Sequence, residues 1–196
     1  MMKMGYEVYS GTIVGLPFQT DENLVEDILG MKELGVDGLD FDVYMPTKDT
    51  PIYPFWREQN DVGQSNQYRP YLERSFQRLK RMIALSRIVM PSVSITTSEL
   101  HLLLHANGMQ EILNAGANVV KMFSGPRWTR QFNLVCVTPR PDYFDEMQPA
   151  FPEDYVLQHN LQVIQEAGKI VGSADAALMS SPHARGYQLT GVHSTD

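Results

Sequence analysis

Asp40 and Asp42 stand two residues apart in a stretch, LDFDVYM over residues 39–45, where apolar and polar side chains alternate. In a strand, this places both carboxylates and Tyr44 on one face, the acids roughly 6.5–7 Å apart along the chain. Leu39, Phe41, Val43 and Met45 take the other face. Two enclosed carboxylates could hold a metal, an amine or a proton; on an open sheet they would only keep that face wet. A second candidate is GTIVGLPFQT, residues 11–20. Glycines at the end of a parallel strand let a ligand approach the backbone, and a helix starting at Thr20 offers free N–H groups. A tight strand-to-helix turn would need the same glycines for shape alone. Thr96 and Thr97, at the end of a third short β segment, could donate hydroxyl hydrogen bonds where sites on parallel sheets lie. His101 and His105 have the i, i+4 spacing of metal ligands, but the glutamate of a zincin motif is absent. A pair of partly exposed histidines is the expectation there, with no metal site.

The elements that position these residues alternate. Residues 6–16 are rich in β-branched and aromatic types and stop at Pro17, which reads as a strand. Gly5 before it has the look of a helix cap. A helix follows over 21–34, with Thr20 as N-cap, Asp21 and Glu22 at the positive end, and Gly35 closing it. After the strand at 39–45, residues 46–69 read as a long loop rich in Pro, Asn, Gln and Asp. A helix over 70–89 is followed by a strand at 93–97, a helix at 99–114 closed by Gly116, and a β segment at 117–123. Pro152 starts a last helix that stops at Gly168, and residues 173–196 read as a disordered tail. The basic residues Arg74, Arg78, Lys80, Arg81 and Arg87 read as a solvated helix face.

Repeated βα units imply parallel strands, right-handed crossovers and helices on the outside. The fold class expected is therefore α/β, a partial (βα) barrel of TIM type that lacks the N-terminal strands. Its inner face would carry Asp40, Asp42 and Tyr44. Such a part-barrel has free edges, so pairing with the missing barrel half or self-association is expected.

The 196 residues carry a net charge of 16 − 23 = −7, which argues against nucleic acid as the partner. No apolar stretch is long enough to cross a bilayer and no signal peptide is evident, so a cytoplasmic protein is expected. The single cysteine, Cys136, excludes an internal disulfide and any multi-cysteine metal site built by these residues alone.

Several of these segments, in this order, resemble radical S-adenosylmethionine enzymes. GTIVGLPFQT is similar to their sixth-strand segment, with Gly11, Ile13 and Gly15 on its G-x-I-x-G pattern, and to the GLPGQT form of the biotin synthase-like group. Tyr44-Met45-Pro46 and Asp49-Thr50-Pro51 are similar to the F-I-P-x-x-D-T-P after strand seven. MIALSRIVMP (82–91) resembles the helix before strand eight. Ile95-Thr96-Thr97 sits where the FeFe-hydrogenase maturase has a threonine pair, and Gly116-Ala117-Asn118-Val119-Val120 matches a run shared with 3-methylornithine synthase. The resemblance implies a C-terminal portion, residues 1–172, comprising strands six to eight and beyond. It implies S-adenosylmethionine contacts at Gly11, Ile13, Gly15, Leu16 and Tyr44. Thr96, Thr97, Asp40 and Asp42 become the expected contacts to a small-molecule substrate. The family's 4Fe-4S cluster is held by CxxxCxxC, which this sequence lacks, so no catalysis by the chain alone is expected. Three further departures stand out: Phe18 replaces a glycine, Asp40 and Asp42 stand where two glycines are usual, and residues 52–68 look inserted. The competing expectation is a non-catalytic half-barrel that serves in binding or assembly.

Overall fold

The computed structural model describes residues 4–60, 68–97, 101, 107–121 and 155–172. Its elements run β1 (Tyr9–Val14), α1 (Asp21–Leu34), β2 (Gly38–Val43), α2 (Tyr53–Gln59), α3 (Arg69–Val89), β3 (Ser94–Thr97), α4 (Gly108–Ala115), β4 (Val119–Val120) and α5 (Tyr155–Glu166). The four strands form one sheet in sequential order, and every described pairing is parallel. Sequential parallel strands joined by right-handed crossovers carry their helices on a single face.

That face holds the core. Val14, Leu39, Phe41, Val43 and Ile95 are buried against Leu24, Ile28 and Met31 of α1, Leu72, Phe76, Leu79 and Ile83 of α3, and Met109, Ile112 and Leu113 of α4. α1 forms as its sequence dictates. Thr20 accepts from the Asn23 amide, Asn23 returns a bond to the Thr20 amide, and Gly35 closes the helix with φ +66°.

Three expectations are corrected. Residues 46–69 are not all loop, because α2 occupies part of them. This helix has only seven residues, too few for apolar periodicity to show; Trp56 fixes it by packing among Tyr53, Tyr68 and Tyr71 at centroid distances of 5.0–5.8 Å. The helix expected over 99–114 does not run unbroken, since a turn at Asn107 precedes α4. The basic side chains of α3 are also more than a solvated face. Arg87 binds the carbonyls of Gly116, Pro91 and Val93 and the Asn118 side chain, Arg78 binds Asp21 and the Gln19 carbonyl, and Lys80 pairs with Glu111. They tie α3 to its neighbours. Cys136, His105 and the tail 173–196 lie outside the described residues.

Candidate functional site

The strand register brings the expected residues together. Gly11 and Ile13 of β1 lie beside Asp40 and Asp42 of β2, and Leu39 beside Ile95 puts Asp40 next to Thr96. The alternation expected for 39–45 holds over 39–43, with Leu39 and Phe41 fully buried on the helix side and Asp40 and Asp42 half-buried on the other. Past the end of β2 both Tyr44 and Met45 pack on the core, so Tyr44 does not join the acids as expected. Successive strand residues take opposite faces, so Thr96 joins Asp40 while Thr97 turns away. The Thr97 hydroxyl is buried and has no hydrogen-bond partner among the described residues. The sheet's second face is not uniformly bare: Ser94 and Thr96 are buried there, whereas β1 keeps Tyr9 and Ile13 exposed.

Asp40 is held from two sides. Its Oδ1 accepts from the Thr96 hydroxyl at 2.6 Å, and its Oδ2 pairs with the Lys121 ammonium, just beyond β4. Asp42 Oδ1 lies 3.8 Å from His101 Nε2. His101 is wholly buried, and that desolvation pushes its pKa down to about 4; the Phe41 backbone and the Asp40 carboxylate oppose the shift only in part. The imidazole is therefore neutral at pH 7, and its contact with Asp42 is not an ion pair. Neither Lys121 nor His101 was legible as a partner of these acids. They are distant in sequence, and the partial exposure expected of His101 is corrected by the structure, which buries it completely.

The glycine segment has structural work to do. A Cβ on Gly11 would lie 1.6 Å from the Asp40 carbonyl oxygen, and one on Gly15, at φ +93°, would lie 2.7 Å from the Tyr71 hydroxyl. Both glycines are thus required by close packing against β2 and α3. Gln19 Nε2 donates to the Ile13 carbonyl at 2.8 Å while the Gly15 amide donates to Gln19 Oε1 at 2.8 Å. The Tyr71 hydroxyl sits 3.1 Å from the Gly15 carbonyl and 2.7 Å from that of Tyr44, linking the carboxyl ends of β1 and β2. Leu16 is half-buried in the turn that follows, where its carbonyl accepts from the Gln19 amide. The Tyr44 side chain packs on the core, and burial raises its pKa. Phe18 stands where the resembling enzymes carry glycine, and it keeps a glycine-like φ of +65°. Its amide donates to Gln59 of α2 at 3.0 Å and its ring meets Phe55 edge-on at 5.7 Å.

The two cofactors of the resembling family fit unequally. A 4Fe-4S cluster needs several cysteines, and the sequence holds one; among the described residues no three His, Cys, Asp or Glu side chains gather as metal ligands. These residues do not fit a cluster. For S-adenosylmethionine, the Ile13 carbonyl and Gly15 amide are already taken by Gln19. The exposed Ile13 side chain remains as an apolar contact. No helix among the described residues is long and apolar enough to cross a membrane.

No protein-family profile matches the chain. It is 30% identical over 129 residues to the [FeFe] hydrogenase maturase subunit HydE of Thermotoga maritima, a match covering 66% of this chain and 31% of that protein. The chain therefore spans about a third of the length of this curated relative. The similarity points to the same maturase group as the ordered motifs, over a parallel α/β fold.

Proposed function

We propose that the chain is the C-terminal, substrate-binding portion of a radical S-adenosylmethionine enzyme of hydrogenase-maturase or methylornithine-synthase type. The observation that supports this most is the similarity to HydE over 129 residues. In this reading the sheet is part of a TIM-type barrel. Ile13, with Gly11, Gly15, Leu16 and Tyr44 around it, lines the adenosyl site. Asp40, Asp42 and Thr96 serve the substrate, while Thr97, on the opposite face of β3, does not share that surface. Asp40 and Thr96 meet at neighbouring strand positions of a parallel sheet, where barrel enzymes place polar groups for small molecules. The cluster and its reductive chemistry belong to cysteines that this sequence does not contain, so this portion binds and orients.

The test is Asp40→Asn with Asp42→Asn in the chain assembled with the remaining barrel strands, titrated with S-adenosylmethionine and with an amine-bearing substrate. Substrate affinity should fall at least about tenfold, the loss expected of a charge-assisted hydrogen bond, while the adenosyl ligand is held as before. Unchanged affinity for the substrate would end the recognition role of the two acids.

One observation favours a second reading, a non-catalytic half-barrel module. Gln19 and Tyr71 already fill the backbone groups around Ile13 and Gly15. If the assembled chain binds no adenosyl ligand, that reading replaces the first.

A further inference from the structure

Arg87 spends its guanidinium on neutral oxygens. Nε donates to the Gly116 carbonyl at 2.9 Å, Nη1 to the carbonyls of Pro91 and Val93 at 2.8 and 2.7 Å, and Nη2 to Asn118 Oδ1 at 3.0 Å. The side chain is half-buried, and burial lowers its pKa. A desolvated cation whose described partners are all uncharged contributes geometry, because its planar fork fixes the direction of every bond. Those bonds converge on the turn before β3 and the turn before β4. The second turn comes so close that a Cβ on Gly116 would lie 2.9 Å from Arg87 Cβ. Asn118 completes the junction: its amide donates to the Ile95 carbonyl at 3.0 Å, and its Oδ1 accepts from the Ile95 amide at 2.8 Å. A strand amide ordinarily meets a backbone carbonyl of its neighbour. Here a side-chain oxygen takes that place, one residue ahead of the first β3–β4 pair, Thr96 with Val119.

The junction matters because β4 is two residues long. So short a ladder resists slippage poorly, and a slip of one residue turns every side chain to the other face. In the observed register Val119 lies beside Thr96. Lys121, two residues further on, therefore falls on the face of Thr96 and Asp40, where its ammonium pairs with Asp40. A one-residue slip would turn Lys121 towards the helices and bring Val120 round to the acid. We propose that Arg87 and Asn118 are positioning residues for the Asp40 site: by locking the turn before β4 onto β3, they set the register that delivers Lys121 to Asp40. The assignment rests on the functional reading above only in calling that face a substrate site.

Two ligand-free readouts on the full chain test it: residue-resolved amide exchange, and limited acetylation of lysines followed by mass spectrometry. Asn118→Leu leaves the three bonds from Arg87 to backbone carbonyls in place. In this variant the Ile95 amide should lose about tenfold of its protection, the worth of one hydrogen bond. The Ser94 amide, which donates to the Asp37 carbonyl on the β2 side, should keep its own. Lys121 should be acetylated about two- to fivefold faster, the protection a half-exposed ion pair gives, and so reach the rate seen in Asp40→Asn. Lys80, paired with Glu111, should not change. Arg87→Lys keeps the charge but loses the fork and should act in the same direction; Asn118→Asp keeps the acceptor oxygen and should keep the parent values. Equal loss of protection at Ser94 and Ile95 would make these bonds a general brace. A Lys121 rate unchanged in Asn118→Leu, or raised as much in Asn118→Asp, would detach the ion pair from the junction. Each of these results overturns the positioning role. Because neither readout involves a ligand, unchanged substrate affinity in the Asp40→Asn, Asp42→Asn double variant would sink the reading of this face as a substrate site and leave the positioning role standing.

Discussion

A half-buried carboxylate on the sheet face opposite the described helices gains from a counter-charge, and for Asp40 the chain provides one 81 residues away in Lys121. The period-two alternation made the faces of Asp40 and Asp42 legible; the identity of their partners was not, because only the crossovers bring β4 and residue 101 to β2. The two bonds to Asp40 should differ in weight. Thr96 is buried, so Thr96→Val should cost about 1–2 kcal/mol in urea unfolding. Lys121 is half-exposed, and Lys121→Met should cost under about 1 kcal/mol. The reverse order would mean that the ammonium, not the hydroxyl, fixes the acid. His101 gives a pH dependence. Its pKa is lowered from 6.5 to about 4 on folding, so between those values the unfolded chain binds a proton that the folded chain refuses. Stability is then lost as pH falls from 6.5 towards 4, by up to about 3 kcal/mol at the lower end. His101→Gln should flatten that part of the stability profile. An identical slope in parent and variant would place the titration elsewhere.

Among the elements, α1 was legible to its caps, since Thr20, Asn23 and Gly35 act within a few residues of one another. α2 was not, because its stability is tertiary: one tryptophan buried among three tyrosines. Trp56→Ala should accordingly cost about 3–5 kcal/mol. A cost below about 1 kcal/mol in thermal or urea unfolding would show that α2 is not anchored by this residue. Phe18 shows the opposite balance. A bulky residue at φ +65° with its ring largely exposed gains little from the ring and carries backbone strain. Phe18→Gly should leave stability unchanged or raise it by up to about 1 kcal/mol. A loss beyond about 2 kcal/mol would assign the Phe55 contact a structural weight that its exposure does not suggest. The glycine motif allows a ligand-lining role or a tight turn, and the packing at Gly11 and Gly15 gives both glycines a steric reason of their own.

For the molecule as a whole, the order of βα units in the sequence already implied a parallel sheet with helices on one side, and the structure has it. The uneven second face was beyond sequence reading, because period-two alternation says which side of the sheet a residue takes and not how deeply it is buried there. The central claim is that this chain supplies one portion of a radical S-adenosylmethionine barrel and that the cluster comes from cysteines elsewhere. Anaerobic reconstitution with iron and sulfide tests it most directly, read as charge-transfer absorbance around 400 nm, where thiolate-bound clusters absorb. The chain alone should match a protein-free control, and the chain assembled with a CxxxCxxC-bearing portion should bind one 4Fe-4S cluster that responds to S-adenosylmethionine. A stoichiometric cluster on this chain alone, or an assembled cluster indifferent to S-adenosylmethionine, would contradict the account.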